Sequence, residues 1–254
     1  MLHNLKPKKS LGQNFLINAG VLKKIVSAAE LNKDDIVLEI GPGTGNLTKL
    51  LSERASRVFA IEKDHRLIEE LQEKFNNTNV EITEGDVLKL DVTSYMIHDS
   101  SYKIVANIPY YITSHLLKVI FESNNWRMAH PKLIVLTVQK EVAKRIVAKP
   151  PDMNLLALSV QLYSEPKIVG YISKGSFRPI PKVDSAIIKL TPYSKTNTES
   201  VKKVLFLAKK AFAGKRKQLK NTLPDINFTK LNIPAEIRPE ELGISDWLKI
   251  ANRL

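Results

Sequence analysis

The chain reads IVLEIGPGTG over residues 36–45, an apolar run followed at once by a loop with three glycines. The apolar run is typical of a buried strand, and a helical pattern follows the loop at 46–53. Glycines at such a turn let the backbone approach a ligand closely, and the N–H groups that open the helix point at it. The stretch therefore predicts a strand, a ligand-binding turn and a helix in succession.

The spacing of the glycines bears on which ligand the turn binds. A dinucleotide fingerprint is G-x-G-x-x-G, whereas residues 41–45 read G-x-G-x-G and Glu39 precedes them. The spacing favours a nucleoside ligand other than a dinucleotide. A nicotinamide-dependent oxidoreductase stays open as the alternative, and it would need the longer glycine spacing and a residue for hydride transfer.

Apolar runs recur on the C-terminal side of this stretch. Four of them begin at residues 57, 79, 103 and 132, each 21 to 29 residues after the run before, with helical patterns between them. That interval suits a strand-helix-strand unit, so the repetition predicts an α/β fold with a mostly parallel sheet and helices on both faces. A helical pattern at 19–31, with Asn18 as its N-cap, precedes the series.

The pattern changes after residue 150. Two runs, 166–172 and 183–190, predict an antiparallel pair at the sheet edge. Beyond a polar linker only helical patterns remain, at 200–213, 216–223 and 239–253. We therefore expect one domain over 1–192 and a small all-helical domain over 193–254.

Polar residues follow the ends of three predicted strands. Glu62 ends the second strand, and its two oxygens suit the two hydroxyls of a ribose. Asp86 follows the third strand and could accept a hydrogen bond from the amine of an adenine, although a turn or cap residue fits equally well there. Asn107-Ile108-Pro109-Tyr110 closes the fourth strand and is the most informative segment.

The Asn-Ile-Pro-Tyr segment predicts a cradle for a planar, hydrogen-bonding group. The side-chain oxygen of Asn107 and the main-chain oxygen of Ile108 can both accept, Pro109 fixes φ, and Tyr110 can stack on a flat ring. An adenine amine is a poor nucleophile because its lone pair is delocalised. Two acceptors on its N–H groups would favour a more tetrahedral nitrogen whose lone pair points at a methyl donor, with alignment supplying much of the rate.

Charge and composition restrict the class of protein. The 254 residues carry 39 Lys plus Arg against 26 Asp plus Glu, a net charge of +13, with 43% hydrophobic residues and no cysteine. No run of about 18 apolar residues predicts a membrane span. Thiol chemistry is excluded, no His spacing predicts a metal site, and residues 1–9 lack the apolar segment of a secretory signal, which favours a cytoplasmic protein.

The excess positive charge lies in two blocks. Residues 1–24 hold five Lys and no acid, and residues 195–220 hold nine bases against Glu199 alone. Blocks of this kind favour docking to a nucleic acid. An anionic membrane surface is the weaker alternative, because the aromatic residues do not gather beside the lysines as an interfacial helix requires.

The glycine loop at 39–45 together with Asn107–Tyr110 resembles the S-adenosylmethionine-dependent rRNA adenine dimethyltransferases. Residues 10–16, SLGQNFL, are similar to the N-terminal motif of that family. Residues 177–186, FRPIPKVDSA, are similar to the signature of its 16S rRNA branch, and 211–221 resembles the basic helical segment of that branch. The resemblance covers the chain from about residue 6 to its end.

The resemblance implies a Rossmann-like class I methyltransferase domain and a helical RNA-docking domain. It implies transfer of four methyl groups from S-adenosylmethionine, which becomes S-adenosylhomocysteine, to two adjacent adenines near the 3′ end of 16S rRNA in 30S particles. It further implies a role in small-subunit biogenesis, and we expect a monomer. The alternatives are the 23S rRNA branch, associated with macrolide resistance, and an assembly factor that acts mainly by binding.

The resemblance also assigns residues to roles. The cofactor-binding set is Asn14, Leu16, Glu39, Gly41, Gly43, Gly45, Glu62, Asp86, Val87 and Asn107. The catalytic set is Asn107, Ile108, Pro109 and Tyr110, with Phe177 as a second wall for the target base. The RNA-binding set, taken from the two basic blocks, is Lys8, Lys9, Lys209, Lys210, Lys215, Arg216, Lys217 and Lys220.

Overall fold

A computed structural model describes residues 7–8, 11–90, 102–123, 131–214 and 216–253. The strands are β1 (Phe15–Leu16), β2 (Ile36–Ile40), β3 (Arg57–Glu62), β4 (Val80–Glu84), β5 (Tyr102–Asn107), β6 (Pro131–Gln139), β7 (Ser164–Ile172), β8 (Phe177–Arg178) and β9 (Ser185–Pro192). The α-helices are α1 (Ala19–Ala28), α2 (Asn46–Ser52), α3 (His65–Lys74), α4 (Thr113–Glu122), α5 (Lys140–Ile146), α6 (Leu155–Gln161), α7 (Thr198–Ala213), α8 (Leu219–Thr222) and α9 (Ile244–Ala251).

The central sheet has the strand order β4-β3-β2-β5-β6-β9-β7. The five strands from β4 to β6 in that order pair in parallel, and β9 pairs antiparallel with β6. The α/β prediction is therefore confirmed, and the two predicted edge strands are neighbours at one end of the sheet. The strand order reverses between β2 and β5, so their carboxyl ends flank the switch point where ligands bind in open sheets of this kind.

Helices cover the sheet because its central strands are apolar on both sides. All five residues of β2 are buried, which is typical of a parallel strand with helices on each face. One core cluster joins α1 and α2 to the sheet through residues such as Ile25, Leu51 and Val37, and a second packs α3 through Leu71 and Phe75. The predicted N-cap is confirmed, since the Asn18 side chain accepts from the Val21 amide at 3.1 Å.

A separate two-stranded sheet ties the N-terminal segment to a distant part of the chain. β1 pairs antiparallel with β8, with Phe15 opposite Arg178 and Leu16 opposite Phe177. Leu16 and Phe177 are both buried in the core cluster that α1 and α2 join. The segment that carries the predicted cofactor residues Asn14 and Leu16 is thus held in place by β8; we call residues 11–16 the arm.

The described residues fall into two compact units. The first comprises residues up to Ala143 together with Lys167–Pro192, and the second comprises Lys144–Pro166 with the residues from Tyr193 onward. The second unit takes in α6 because the Met153 amide donates to the Glu240 carbonyl and the Tyr193 amide donates to the Tyr163 carbonyl. The boundary at residue 193 stays a prediction.

Within the second unit α7 is the longest helix, with Asn197 as its N-cap. It buries one apolar face, which includes Val204 and Ala208, and Phe212 stacks on the fully buried Trp247 with ring centroids 5.9 Å apart. Over the described residues, no helix is both long and apolar enough to cross a membrane. The same residues contain no cluster of three His, Asp or Glu side chains that could hold a metal ion.

Candidate active site

A cavity in the first unit lies at the carboxyl ends of β2, β3 and β5, where the arm meets the sheet. It is lined by residues 41–44 of the glycine loop, by both acids predicted from the strand ends and by the whole Asn-Ile-Pro-Tyr segment. The predicted residues that line it are Asn14, Leu16, Glu39, Gly41, Gly43, Glu62, Asp86, Val87, Asn107, Ile108, Pro109 and Tyr110. Residues widely separated in sequence therefore surround one space.

Glu39 is the most deeply buried acid of the cavity, with 1% of its surface exposed. Burial raises its pKa to about 8, and the nearby carboxylate of Glu62 acts in the same direction. Its Oε2 atom has no hydrogen-bond partner among the described residues. A buried acceptor left unpaired on a cavity wall suits a cationic or hydrogen-donating ligand group.

Glu62 is fixed by two backbone amides. Its Oε2 accepts from the Gly43 amide at 3.1 Å and its Oε1 accepts from the Asp64 amide at 2.8 Å. Burial raises its pKa above the usual range, although these two hydrogen bonds act in the opposite direction. Both carboxylate oxygens keep further acceptor capacity, which is what two vicinal hydroxyls require.

Asp86 is held by a neighbour from the preceding strand end. Its Oδ2 accepts from Lys63 Nζ at 2.8 Å and its Oδ1 from the Leu88 amide at 3.1 Å. Burial alone would raise its pKa, but these contacts together lower it below the usual value. Asp86 is therefore an ionised acceptor beside the apolar side chain of Val87, a pairing that suits the edge and face of a purine.

Asn107 lies at the end of β5 with both ends of its amide engaged. Its Nδ2 donates to the Asn14 carbonyl of the arm at 3.2 Å, and its Oδ1 accepts a hydrogen bond from Thr137 Oγ1. The carboxamide is therefore positioned before any substrate arrives. Sequence reasoning missed Thr137, because its place in an apolar run gave no sign that it would contact Asn107.

Two tyrosines follow Pro109 at the cavity. Tyr110 is half-buried, and its hydroxyl hydrogen-bonds to Ser185 Oγ at 2.6 Å, while burial raises its pKa. Tyr111 is 59% exposed and also lines the cavity. Gly12 of the arm, at φ +61°, lies so close to the Tyr111 ring that an added Cβ would come within 3.1 Å of it. Tyr111 is thus a site residue that the sequence analysis did not select.

Two predicted residues, Gly45 and Phe177, are not among those that line the cavity in the described part of the chain. Gly45 is the N-cap of α2 at φ +73°, and a Cβ there would come within 2.8 Å of the Phe75 ring, so this glycine serves packing. Phe177 has none of its surface exposed and lies in the core cluster, because β8 turns it inward against β1. It offers no wall for a base in this structure.

The arm is attached to the body through Asp64, another residue that the sequence analysis missed. Gln13 Nε2 donates to Asp64 Oδ2 at 2.8 Å, and Arg66 contacts the same oxygen at 2.6 Å. The Arg66 guanidinium, with help from Gln13, holds the pKa of Asp64 well below its usual range. The Nζ atom of Lys8, which is predicted to bind RNA, lies 3.4 Å from Asp64 Oδ1, and its side chain is 46% exposed.

The predicted basic residues of the second unit are exposed where the structure describes them. Lys209, Lys210, Arg216 and Lys217 are exposed, and Lys220 lies 3.4 Å from Glu236. Lys9 and Lys215 lie outside the described residues.

One aromatic residue lies beside these lysines. Phe206 is 60% exposed, and Lys210 Nζ lies 4.5 Å from its ring centre. One helical turn separates the two residues, and this places both side chains on the same face of α7. Aromatic spacing therefore does not exclude a membrane surface.

A family model described as ribosomal RNA adenine dimethylase matches residues 4–254. The chain belongs to the ribosomal RNA adenine dimethylase family. It is therefore a methyltransferase that acts on ribosomal RNA, and the resemblance noted in its motifs is confirmed. The nicotinamide-dependent alternative is set aside, in agreement with the glycine spacing.

Two relatives are similar in sequence to this dimethylase over nearly their full length. The chain is 42% identical over 261 residues to the ribosomal RNA small subunit methyltransferase A of Dehalococcoides mccartyi, covering 98% of this chain and 88% of the relative. It is 39% identical to the protein of the same name from Halothermothrix orenii, covering 99% and 89%.

Solved structures share the fold of the dimethylase. A dimethyladenosine transferase from Plasmodium falciparum is 31% identical with a TM-score of 0.77, covering 93% of this chain and 95% of that one. The 23S rRNA methyltransferase ErmE is 25% identical with a TM-score of 0.78, covering 95% and 99%. The two TM-scores are nearly equal.

Proposed function

We propose that this dimethylase modifies the small-subunit, 16S rRNA at two adjacent adenines near the 3′ end, transferring four methyl groups to their N6 atoms. Sequence identity supports this choice, at 42% to a protein named for the small subunit against 25% to ErmE. The 177–186 segment, which resembles the signature of the 16S branch, agrees with it. We also propose that the enzyme acts in the cytoplasm and as a monomer.

The acceptor groups that line the cavity suit S-adenosylmethionine. The ligand carries an ammonium and a sulfonium, and the cavity offers the unpaired Oε2 of Glu39 on a buried wall. We assign the ribose hydroxyls to Glu62 and the adenine to Asp86 and Val87, with Asn14, Leu16, Gly41 and Gly43 completing the walls. When bound, the cofactor supplies a methyl group on a positively charged sulfur, which an amine nitrogen can displace.

The residues of the chain would act on the target adenine. Asn107 Oδ1 and the Ile108 carbonyl accept the N–H groups of the target amine, which turns the nitrogen lone pair toward the cofactor side of the cavity. Tyr110 holds the base by stacking, with its hydroxyl anchored on Ser185. The nitrogen loses its proton to water after the new bond forms, so the site needs no general base. Positioning of this kind contributes up to about 7–11 kcal/mol in well-oriented systems.

We propose that the exposed face of α7 contributes to RNA docking. Its lysines can neutralise phosphates, and Phe206 offers a ring on which an unpaired base can stack. The target adenine must leave its own stack to reach Asn107, at a cost of a few kcal/mol, and such contacts would offset that cost. Lys8, Lys209, Lys210, Arg216, Lys217 and Lys220 remain the proposed basic contacts.

The observation that carries the proposal is the Asn107 carboxamide, fixed at the cavity beside Tyr110. The test is methyl transfer from labelled S-adenosylmethionine to undermethylated 30S and 50S particles in parallel, with the nucleoside product identified by mass. We expect dimethyladenosine in the 30S RNA alone, and none from Asn107→Ala, which should still bind the cofactor. Label in the 50S RNA would instead favour the 23S branch. Binding without transfer would favour an assembly factor.

A further inference from the structure

Thr137 is a fully buried hydroxyl in an apolar strand. It lies in β6 directly opposite Asn107 of β5 in the parallel register, and none of its surface is exposed. A buried hydroxyl without a partner destabilises the fold, so polar groups in such places are hydrogen-bonded. Its partner here is the side chain of Asn107, since Thr137 Oγ1 donates to Asn107 Oδ1.

The two partners of Asn107 favour the same orientation of its amide. The Asn14 carbonyl can only accept, and it takes the hydrogen of Asn107 Nδ2 at 3.2 Å. The Thr137 hydroxyl has a hydrogen to give, and it gives it to Oδ1. If the amide were turned over, Oδ1 would face the Asn14 carbonyl, and two acceptors would repel each other. Without the Thr137 hydroxyl, only the arm would define this orientation.

We propose that Thr137 is a positioning residue that holds Asn107 Oδ1 ready for the target amine, an inference that rests on the proposed function. A carbonyl oxygen accepts two hydrogen bonds. The Thr137 hydroxyl takes one, which leaves the second for an N–H of the adenine. Thr137 is not among the residues that line the cavity, so it acts only through Asn107.

The proposal is tested by a pair of substitutions that separate the hydroxyl from the volume of the side chain. Thr137→Val keeps the volume and removes the donor, whereas Thr137→Ser keeps the donor and removes a methyl group. We expect Thr137→Val to lower kcat by about 10- to 100-fold, because a misplaced acceptor loses alignment, and to leave the Kd for S-adenosylmethionine within about twofold. Thr137→Ser should restore most of the activity.

A second readout follows the amide itself. The side-chain amide signal of Asn107, identified in a nitrogen-15 NMR spectrum by its loss in Asn107→Ala, should shift in Thr137→Val and stay near its wild-type position in Thr137→Ser. A role in packing alone would not produce that contrast. If Thr137→Val does not fold, Thr137→Ala removes the same hydroxyl and is compared with Thr137→Ser in the same way.

The outcomes separate this inference from the proposed function. If the wild-type enzyme transfers no methyl group to small-subunit RNA, the proposed function is wrong. If the wild-type enzyme is active and Thr137→Val matches its kcat, the inference about Thr137 alone is overturned. Equal loss in the Val and Ser variants would also overturn it, since the shared defect would then come from packing.

Discussion

The carboxyl group of Glu39 is buried, where its ionised form is unfavourable unless a cationic ligand lies beside it. Its pKa of about 8 means that the free protein at neutral pH holds it mostly protonated. A cationic ligand beside it favours the ionised form and so drives release of a proton on binding. A carboxyl group beside the glycine loop thus becomes charged when the ligand binds.

Glu39→Gln should stabilise the ligand-free protein at alkaline pH. The pKa of Glu39 is raised from its ordinary value of 4.5 to about 8 in the folded protein. The Glu39 carboxyl group therefore contributes its full stabilisation of the folded state below pH 4.5, and this stabilisation is lost as pH rises through 8. The Tm difference between variant and wild type should therefore grow from pH 6 to pH 9. Thermal unfolding at a series of pH values measures it, with the exposed Glu53→Gln as control. A constant difference would contradict the assignment.

Glu62→Ala should weaken cofactor binding strongly. The substitution removes the proposed ribose acceptor and also leaves the amides of Gly43 and Asp64 without their acceptors. Hydrogen bonds to charged groups contribute about 1.5–3 kcal/mol each, so the Kd for S-adenosylmethionine should rise at least about tenfold. Calorimetric titration measures the Kd. An unchanged Kd would show that Glu62 does not contact the cofactor.

Among the elements, the arm shows how a short segment completes a site made by others. It adds β1 to β8, places the Asn14 carbonyl on Asn107, and is attached through Gln13 to Asp64. Asp64 is also the N-cap of α3, and its amide binds Glu62. The arm and the proposed ribose acceptor are therefore linked through a single residue.

Gln13→Leu should loosen the arm while the body of the protein stays intact. The variant loses a hydrogen bond to a charged carboxylate, but Asp64 keeps Arg66 as its partner. Because such a bond contributes about 1.5–3 kcal/mol, we expect the Kd for S-adenosylmethionine to rise about tenfold with little change in Tm. Gln72→Leu, an exposed position on α3, is the control. Equal affinity of the two variants would show that the arm does not act through Gln13.

The strands of the sheet could be predicted because the apolar runs follow one another at the interval of a strand-helix-strand unit. The later helices were harder to predict. Residues 239–253 form a helix only from Ile244, because Pro239 opens a 3₁₀ turn and Gly243 becomes the N-cap. Similarly, the pattern at 216–223 yields a helix only over Leu219–Thr222. Helical periodicity does not show where such turns interrupt it.

The site could be predicted as far as it depends on strand ends. Glu62 and Asn107 end their strands and Asp86 lies two residues beyond β4, so the parallel fold brings them together. The contacts of Gln13 with Asp64 and of Asn107 with Thr137 join residues 51 and 30 positions apart and depend on register between distant elements. The burial of Phe177 likewise follows from the pairing of β8 with β1, which no local pattern reveals.

For the molecule as a whole, the uneven charge predicts how RNA binding responds to salt. Lys209→Gln with Lys210→Gln should flatten the slope of log K against log salt by about 1.4 to 1.8, since each phosphate contact contributes about 0.7 to 0.9. Binding to small-subunit RNA over a range of salt concentrations measures the slope. Lys33→Gln with Lys49→Gln removes the same charge from other exposed positions. An equal change in both pairs would mean that net charge alone governs binding.

The pairing of β1 with β8 also concerns the order in which the enzyme is made. Phe15 and Leu16 are synthesised about 160 residues before their partners Phe177 and Arg178. At a translation rate of about 5–20 residues per second, the arm must wait on the order of ten seconds or more for β8. Once Asn107 has been made, it lacks the Asn14 carbonyl in its final place until β8 arrives. A nascent chain whose β8 has not yet emerged therefore has an incomplete site.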